Sequence, residues 1–184
     1  KNTISDISHQ LKTPLAVLNI YNGLLQDEDI EVSSVKEFAG LSEQELDRIE
    51  TLVQSLLKIT RLDAGAIVLE KNAENVADMM RDIELHFAYR ARQEKKKIIL
   101  SGSDHLSLFC DRDWLSEAID NIVKNAFDHT ESGATIRVAW KELPSGVQIV
   151  ITDNGCGIHP EDIHHIFKRF YRSRFSKDTQ GIGL

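Results

Sequence analysis

The stretch Ser8-His9-Gln10-Leu11-Lys12-Thr13-Pro14-Leu15 lies within a run of apolar residues spaced three and four apart. That spacing is the a/d pattern of a helix that buries one stripe against a partner helix. In this register His9 takes position f and is expected to face water, with Thr13 one turn further along. Pro14 lacks the N–H that would bond the Gln10 carbonyl, so it loosens the helix after His9. The a/d stripe consists of Ile4, Ile7, Leu11, Pro14, Leu18, Tyr21 and Leu25.

A second helical pattern follows a polar break at residues 27–29 and Ser33-Ser34. The first helix is expected to end near Gln26, and the second near Gly65, a residue suited to a helix C-terminus. Two such helices form a hairpin with a wide apolar face, which two copies bury as a four-helix bundle. The alternative is that the hairpin packs on the rest of its own chain. The apolar positions of the second helix are Leu46, Ile49, Val53 and Leu56, with Leu52 and Ile59 beside them.

From residue 67 onward, strand and helix patterns are mixed. The lack of strict β-α-β alternation favours an α+β sandwich of mostly antiparallel sheet under helices. We therefore expect two domains, residues 1–66 and residues 67–184. The charge run Glu94-Lys95-Lys96-Lys97 is interpreted as a solvated helix end. Strands are predicted at residues 67–70, 97–100, 106–109, 135–141 and 147–152, and helices at residues 75–93 and from Asp111, the expected N-cap, to about residue 129.

Length and charge limit the class of protein. A chain of 184 residues with 41% hydrophobic residues can form two small domains with buried cores. The net charge of -7, with no basic stripe, argues against nucleic acid as a partner. Cys110 and Cys156 lie far apart, which indicates reduced thiols rather than a metal site. No run of about 18 apolar residues occurs, so no membrane-spanning helix is expected within this sequence. Because the sequence begins inside a helical pattern and stops within a glycine motif, we interpret it as the cytoplasmic part of a longer protein.

The helix predicted to begin at Asp111 carries polar residues at every fourth position, namely Glu117, Asn121, Asn125 and His129. This spacing places them on one stripe of the helix. The amides could be merely solvated. They also suit Mg2+ that already carries phosphate ligands, because that cation then needs one or two protein oxygens.

A glycine-containing loop, Asp153-Asn154-Gly155-Cys156-Gly157-Ile158, follows a predicted strand. Its glycines permit positive φ and let a ligand lie against the backbone, and the Asp153 carboxylate can accept a hydrogen bond from an exocyclic amine. Further on, residues 167–172 supply cationic side chains for a polyphosphate. The stretch Gly181-Ile182-Gly183-Leu184 offers backbone N–H groups to phosphate oxygens.

The stretch around His9 resembles the H box of sensor histidine kinases, usually Ser-His-Glu/Asp-Leu-Arg/Lys-Thr-Pro-Leu, and departs from it at Gln10. The later motifs resemble the N, G1, F and G2 boxes of the histidine-kinase ATP domain, in the family's order and at sensible spacing. The resemblance covers nearly the whole chain. It implies a multidomain protein with an all-α helical hairpin that dimerises as a four-helix bundle. An α+β sandwich ATP-binding domain of the Bergerat fold follows, incomplete at its C-terminal end.

The resemblance also implies roles for single residues. His9 would accept phosphate from ATP, beside Gln10 and Thr13. Asn125 would be the Mg2+ ligand and Asn121 a polar partner near the phosphates. The implied adenine reader is Asp153, the backbone under the base comes from Gly155 and Gly157, and the remaining nucleotide contacts are His129, Ile158, Arg172 of the ATP lid, Gly181 and Gly183.

The implied reaction is transfer of the ATP γ-phosphoryl group to His9 and then to an aspartate on the receiver domain of a response regulator. The enzyme would be a homodimer joined through residues 1–66, within a membrane-anchored bacterial sensor protein. A flexible join near residues 65–72 would let the ATP domain reach His9. Thr13 would orient the water that hydrolyses the regulator's phosphoaspartate, which makes the protein bifunctional.

Several positions depart from the family pattern. Gln10 can accept a ring N–H but cannot take a proton as a carboxylate can. Asp128 stands where many relatives have a basic residue that meets the phosphates, so that contact would pass to His129 or Lys124. Gln180 replaces the leading glycine of the G2 box, and the elements that normally complete the fold are absent after Leu184.

Three alternative functions remain open. The same ATP fold serves clamp ATPases and protein serine kinases, but those relatives typically carry a glutamate at the position of Asn121, and asparagine cannot act as that base. A dimeric scaffold that binds nucleotide without transferring phosphate is compatible with Gln10. The third alternative is an α+β domain without chemistry.

Overall fold

The structure is a computed structural model that describes residues 3–27 and 29–166, with the backbone alone for residues 3–7 and His9. The predicted site residues Arg172, Gly181 and Gly183 lie outside the described residues. The chain divides into two compact units. One contains the two N-terminal helices and residues 160–166, and the other contains residues 68–159. Residues 64–71 between them form neither helix nor strand.

The first unit contains a helical hairpin of α1 (Thr3–Leu25) and α2 (Val32–Asp63). The predicted apolar stripe of α1 is confirmed where side chains are described, because Pro14 is fully buried and Leu11, Leu18, Tyr21 and Leu25 are half-buried. Tyr21 stacks on Phe38 of α2, with ring centroids 6.0 Å apart. Aromatic contacts of this kind add to the burial of apolar area and hold the two helices together.

Two details of the predicted second helix are wrong. Ser33 and Ser34 lie inside α2 rather than in the polar break, because the helix already begins at Val32 after the extended Glu31. Leu46 and Val53 do not share the inward stripe, since they are 56% and 42% exposed. The inward side chains also follow a three-four spacing, but in a different register: Leu52 is buried, and Ile49, Leu56 and Ile59 are half-buried. Gly65 has φ +62, as expected for a residue that ends a helix.

The second unit contains five strands and two helices. They are β1 (Asn72–Asn75), α3 (Val76–Gln93), β2 (Lys97–Ser101), β3 (Ser107–Cys110), α4 (Arg112–Asp128), β4 (Thr135–Leu143) and β5 (Gly146–Thr152). Antiparallel β1 and β3 form one small sheet, and the other has the order β2-β4-β5, with β2 parallel and β5 antiparallel to β4. This is the expected α+β unit with mostly antiparallel pairing. The strand predicted at residues 67–70 is wrong, because Val68 is 87% exposed and the first strand begins at Asn72.

The core of this unit lies between the two helices and the three-stranded sheet. Its buried side chains include Val76, Met79, Met80, Ile83 and Phe87 from α3, Ile119, Val123, Ala126 and Phe127 from α4, and Ile136, Val138 and Trp140 from β4. The side chains of Asn75 and Asp111 cap α3 and α4 by accepting hydrogen bonds from the N–H groups of Asp78 and Trp114, each at 3.1 Å. The predicted N-cap at Asp111 is therefore confirmed. No helix in the described part of the chain has the length and apolar content that crossing a membrane requires.

We expect Phe127→Ala to destabilise the second unit by about 3–5 kcal/mol, because it removes a fully buried ring that stacks on Phe87 at 5.2 Å. Phe109→Ala is the matched control, since that ring is 70% exposed, and its effect should stay within about 0.5 kcal/mol. Urea unfolding followed by tryptophan fluorescence reports this unit, because Trp114 and Trp140 both lie in it. Equal effects of the two substitutions would contradict the described core.

Candidate functional site

The α4 helix has one buried face and one polar, exposed face. The side chains of Ile119, Val123, Ala126 and Phe127 lie in the core, whereas Asn121, Asn125 and His129 are exposed, as is Ile122. Within the described residues, the side chains of Asn121 and Asn125 make no hydrogen bonds. Their amide oxygens therefore remain available to a ligand. The predicted stripe is confirmed at these three positions, while Glu117 at its start is half-buried.

The loop that follows β5 is held in a defined conformation by its own side chains. Asp153 Oδ1 accepts a hydrogen bond from the Gly155 N–H at 2.8 Å, and Asn154 Oδ1 accepts one from the Thr135 N–H at 2.9 Å. The first bond orients the Asp153 carboxylate, and the second ties the loop to the start of β4. Asp153 is exposed, and its Oδ2 has no hydrogen-bond partner among the described residues. A ligand can therefore reach an oriented carboxylate oxygen.

Gly155 packs directly against the end of α4. A Cβ atom at Gly155 would lie 2.4 Å from the His129 carbonyl oxygen and 3.0 Å from Thr130 Cγ2. Real atoms cannot approach so closely, so only glycine fits without displacing backbone. Two residues further on, Gly157 has φ +71, and the adjacent Ile158 is 55% exposed.

The fold therefore brings several of the predicted site residues together. Gly155, which donates its N–H to Asp153, lies beside His129, and Asn125 and Asn121 follow at one-turn intervals back along the exposed face of α4. The residues that suit Mg2+ are the two asparagines. Among the described residues no group of three His, Cys, Asp or Glu side chains could hold a metal ion. An amide oxygen fits a Mg2+ ion that brings phosphate and water ligands with it.

Two charged residues near the end of α4, Arg90 and Lys96, were not predicted from the sequence to lie beside this site. Arg90 of α3 donates a hydrogen bond to Asp128 at 2.7 Å, so the Asp128 carboxylate forms an ion pair within the second unit. The interpretation of residues 94–97 as a solvated helix end is wrong for Lys96, whose side chain is only 4% exposed. Lys95 has φ +55, and the Lys96 N–H bonds the Ala91 carbonyl, so the chain reverses after α3 and turns Lys96 inward. A charge run alone gives no sign of such a reversal.

The residues of the H-box stretch all lie within α1. Ser8 and Thr13 are exposed, and Gln10 is half-buried. Thr13 therefore faces solvent as predicted. The predicted exposure of the His9 side chain lies outside the described residues.

Two protein-family models match the chain. The phospho-acceptor domain of histidine kinase A matches residues 1–65. The family of histidine kinase-, DNA gyrase B- and HSP90-like ATPases matches residues 110–184. The first match contains α1 and α2, and the second contains α4 and the Asp153 loop.

Sequence relatives agree with the two models. The chain is 28% identical to the sensor histidine kinase YvrG and 31% identical to the sensor histidine kinase YclK, both of Bacillus subtilis, over 98% of its length in each case. It is 27% identical to the sensor protein SrrB of Staphylococcus aureus over its whole length. It covers 32% of YvrG and of SrrB and 38% of YclK, so it spans about a third of these relatives.

Solved structures show the same fold. The histidine kinase ThkA, solved with the response regulator protein TrrA, matches with a TM-score of 0.81 at 19% identity, over 94% of this chain and 51% of ThkA. Full-length ShkA, solved with AMPPNP, matches with a TM-score of 0.70 at 24% identity, over all of this chain and 38% of ShkA. The helical hairpin and the Bergerat-type α+β unit are those of histidine-kinase cores. The chain belongs to the sensor histidine kinases of two-component systems.

We expect Gly155→Ala to destabilise the second unit by about 1–3 kcal/mol, because the new Cβ must displace the His129 carbonyl. The shifted loop should also release the Asn154 side chain, so the Thr135 amide should exchange its hydrogen faster. Urea unfolding and hydrogen exchange measure the two effects. Cys156→Ala is the control, because that exposed side chain can be shortened without a clash. Unchanged Thr135 exchange in Gly155→Ala would show that the loop does not depend on this contact.

Proposed function

We propose that the chain is the core of a protein-histidine kinase that transfers the γ-phosphoryl group of ATP to His9 and then to an aspartate of a response regulator. One observation carries the nucleotide-binding part. The oriented Asp153 carboxylate lies on a loop that packs, through Gly155, against the end of the helix that exposes Asn121 and Asn125. The phosphoacceptor part rests on the domain match at residues 1–65.

The proposed adenine contact is the Asp153 carboxylate. Its Oδ1 already accepts the Gly155 N–H, and Oδ2 remains for an exocyclic amine. A carboxylate suits that amine because charge-assisted hydrogen bonds are stronger than neutral ones. The glycines at positions 155 and 157 let the base lie against the backbone beside Ile158. His129 or Lys124 is the proposed phosphate contact in place of Asp128.

The proposed Mg2+ ligand is Asn125, with Asn121 as a polar partner near the phosphates. When bound, Mg2+ would neutralise charge on the phosphate oxygens and help align the triphosphate. Asparagine at both positions places no carboxylate there to repel the triphosphate or to act as a general base. Arg172, Gly181 and Gly183 are proposed phosphate contacts from their sequence motifs alone.

In the proposed phosphoryl transfer, the lone pair of a neutral His9 ring nitrogen forms a bond to the γ-phosphorus. The bond from phosphorus to the bridging oxygen breaks, and ADP leaves with that electron pair. The attacking nitrogen carries no proton, so no base is needed for the attack itself. The Gln10 side-chain oxygen can accept the N–H of the other ring nitrogen and so select the reactive tautomer. Positioning carries most of the catalysis.

We further propose that the hairpin dimerises. Besides the stripe between α1 and α2, both helices expose apolar side chains, which are 40 to 61% exposed. They are Leu15, Ile20 and Leu24 on α1 and Leu46, Val53 and Leu57 on α2. A second hairpin would cover them as a four-helix bundle. The exposed apolar residues thus explain why Leu46 and Val53 follow a helical spacing without facing α1.

The proposed partner of this dimer is the receiver domain of a response regulator. ThkA has been solved in complex with such a regulator. The exposed face of α1 that carries Thr13 would meet the regulator's aspartate, and Thr13 would orient the water that removes its phosphate. Because ATP and the regulator are cytoplasmic, this part of the sensor would lie in the cytoplasm.

The first test is labelling of the purified protein with γ-labelled ATP and Mg2+. We expect label that survives alkali and is lost in acid, as expected for phosphohistidine. His9→Gln should abolish it, since no other residue is the proposed acceptor. His86→Gln should retain it, because that exposed histidine lies in the second unit.

Other labelling results would distinguish the alternative functions. Nucleotide binding without label would favour the scaffold, and acid-stable, alkali-labile label would indicate a serine kinase. Acid-labile label that persists in His9→Gln would place the phosphoacceptor on another histidine.

We expect Thr13→Ala to slow dephosphorylation of the regulator by about tenfold or more while leaving His9 labelling nearly unchanged, because attack on ATP does not use the Thr13 hydroxyl. The loss of phosphate from a purified phosphorylated receiver measures the first activity. Thr51→Ala, an exposed threonine on α2, is the matched control. Equal loss of both activities in Thr13→Ala would refute the separate role of the hydroxyl.

A further inference from the structure

A charged network joins the C-terminal ends of α3 and α4. Arg90 donates from Nε to Glu94 at 2.5 Å and from a terminal nitrogen to Asp128 at 2.7 Å. Lys96 Nζ lies 2.6 Å from Glu94 and donates to the Phe127 carbonyl oxygen at 2.5 Å. Both cations also lie over the Phe127 ring, within 5.5 Å of its centroid. The network therefore holds the last turn of α4 through the Asp128 side chain and through the carbonyl oxygen and ring of Phe127.

Most of this network is shielded from water. The side chains of Lys96 and Asp128 are 4% and 19% exposed. Burial by itself raises the pKa of the Glu94 carboxyl, but the hydrogen bonds from Lys96 and Arg90 outweigh it and hold that pKa below its usual value. Glu94 thus stays ionised between two cations. A buried lysine needs such partners, because an unpaired charge at low exposure is costly.

The turn held by this network is the one that contacts the Asp153 loop. Phe127 and Asp128 are followed directly by His129, whose carbonyl oxygen lies against Gly155. Gly155 in turn donates its N–H to the Asp153 carboxylate. A shift of this turn by a few tenths of an ångström would move Gly155, because no flexible side chain lies between the two backbones.

We infer that Arg90 and Lys96 are positioning residues of the nucleotide site. They hold the end of α4 so that the His129 carbonyl places Gly155, and with it the Asp153 carboxylate, at the exocyclic amine of the base. This inference rests on the proposed nucleotide function. It also accounts for the acidic residue at position 128, which serves as the anchor for Arg90 rather than as a phosphate contact.

The chain contains a similar ion pair at the other end of α4. Arg112 donates to Glu74 at 3.0 Å, and the Glu74 side chain is 22% exposed, close to the exposure of Asp128. This pair anchors the first turn of α4, far from His129 along the helix. Glu74→Gln therefore matches Asp128→Asn in chemistry and burial but not in its link to the Asp153 loop.

The test compares binding of ADP with binding of purine riboside 5′-diphosphate, which lacks the exocyclic amine, by calorimetry on the whole chain. The parent should prefer ADP by about tenfold or more, because the analogue leaves Asp153 without its amine. Asp153→Ala should abolish the preference. Asp128→Asn should reduce it several-fold, mainly through weaker ADP binding, whereas Glu74→Gln should keep it. A purely stabilising role of the network would not change this ratio.

Each other result decides the question. An unchanged preference in Asp128→Asn, or an equal loss in Glu74→Gln, overturns the positioning role while leaving the nucleotide site in place. A parent that binds neither compound, or binds both equally, overturns the adenine contact and the inference with it. If Asp128→Asn does not fold, Arg90→Lys gives the same readout, because it keeps the charge but loses the two-armed guanidinium contact, and a partial loss of preference is expected.

Discussion

The close contact between Gly155 and the His129 carbonyl is the constraint on which the candidate site depends. It joins two segments that are distant in sequence, the end of α4 and the loop after β5, without any intervening side chain. Because both partners are backbone atoms, the contact tolerates little adjustment. The Asp153 carboxylate takes its orientation from Gly155 and therefore from α4. One helix thus supplies the asparagines and also sets the position of the carboxylate.

That helix can carry the site because its other face is fixed in the core. Val123 and Phe127 are buried, and Phe127 stacks on Phe87 of α3. A stripe of exposed polar residues on a helix has a definite direction only if the opposite stripe is well packed. The buried apolar residues of α4 therefore fix the direction of Asn121 and Asn125. The charged network adds the same restraint at the last turn, where the apolar core ends.

Much of this arrangement could be predicted from the sequence because it depends on local periodicity. The four-residue spacing of α4, its Asp111 cap and the alternation in β4 and β5 are signals that neighbouring residues carry. Three features could not be predicted in this way. The prediction of a strand at residues 67–70 was wrong because the apolar residues there have no partner strand. The predicted inward position of Leu46 and Val53 was wrong because α2 has more than one apolar stripe. The spacing of apolar residues does not show which stripe faces α1. The burial of Lys96 follows from a positive φ at Lys95, which a lysine rarely adopts and composition does not reveal.

The departures from the family pattern have different physical meanings. Gln10 changes what the first helix can do chemically, since an amide accepts a hydrogen bond but does not remove a proton. Asp128 changes how the second unit is held together, since its carboxylate pairs with Arg90 and lies mostly out of water. A lysine or arginine at position 128 would face Arg90 and Lys96 across the same small volume, and like charges at that distance repel. Because Arg90 and Lys96 are present in this chain, an acidic residue at position 128 is the compatible choice. The acidic residue at position 128 thus restrains the end of α4 through its pair with Arg90.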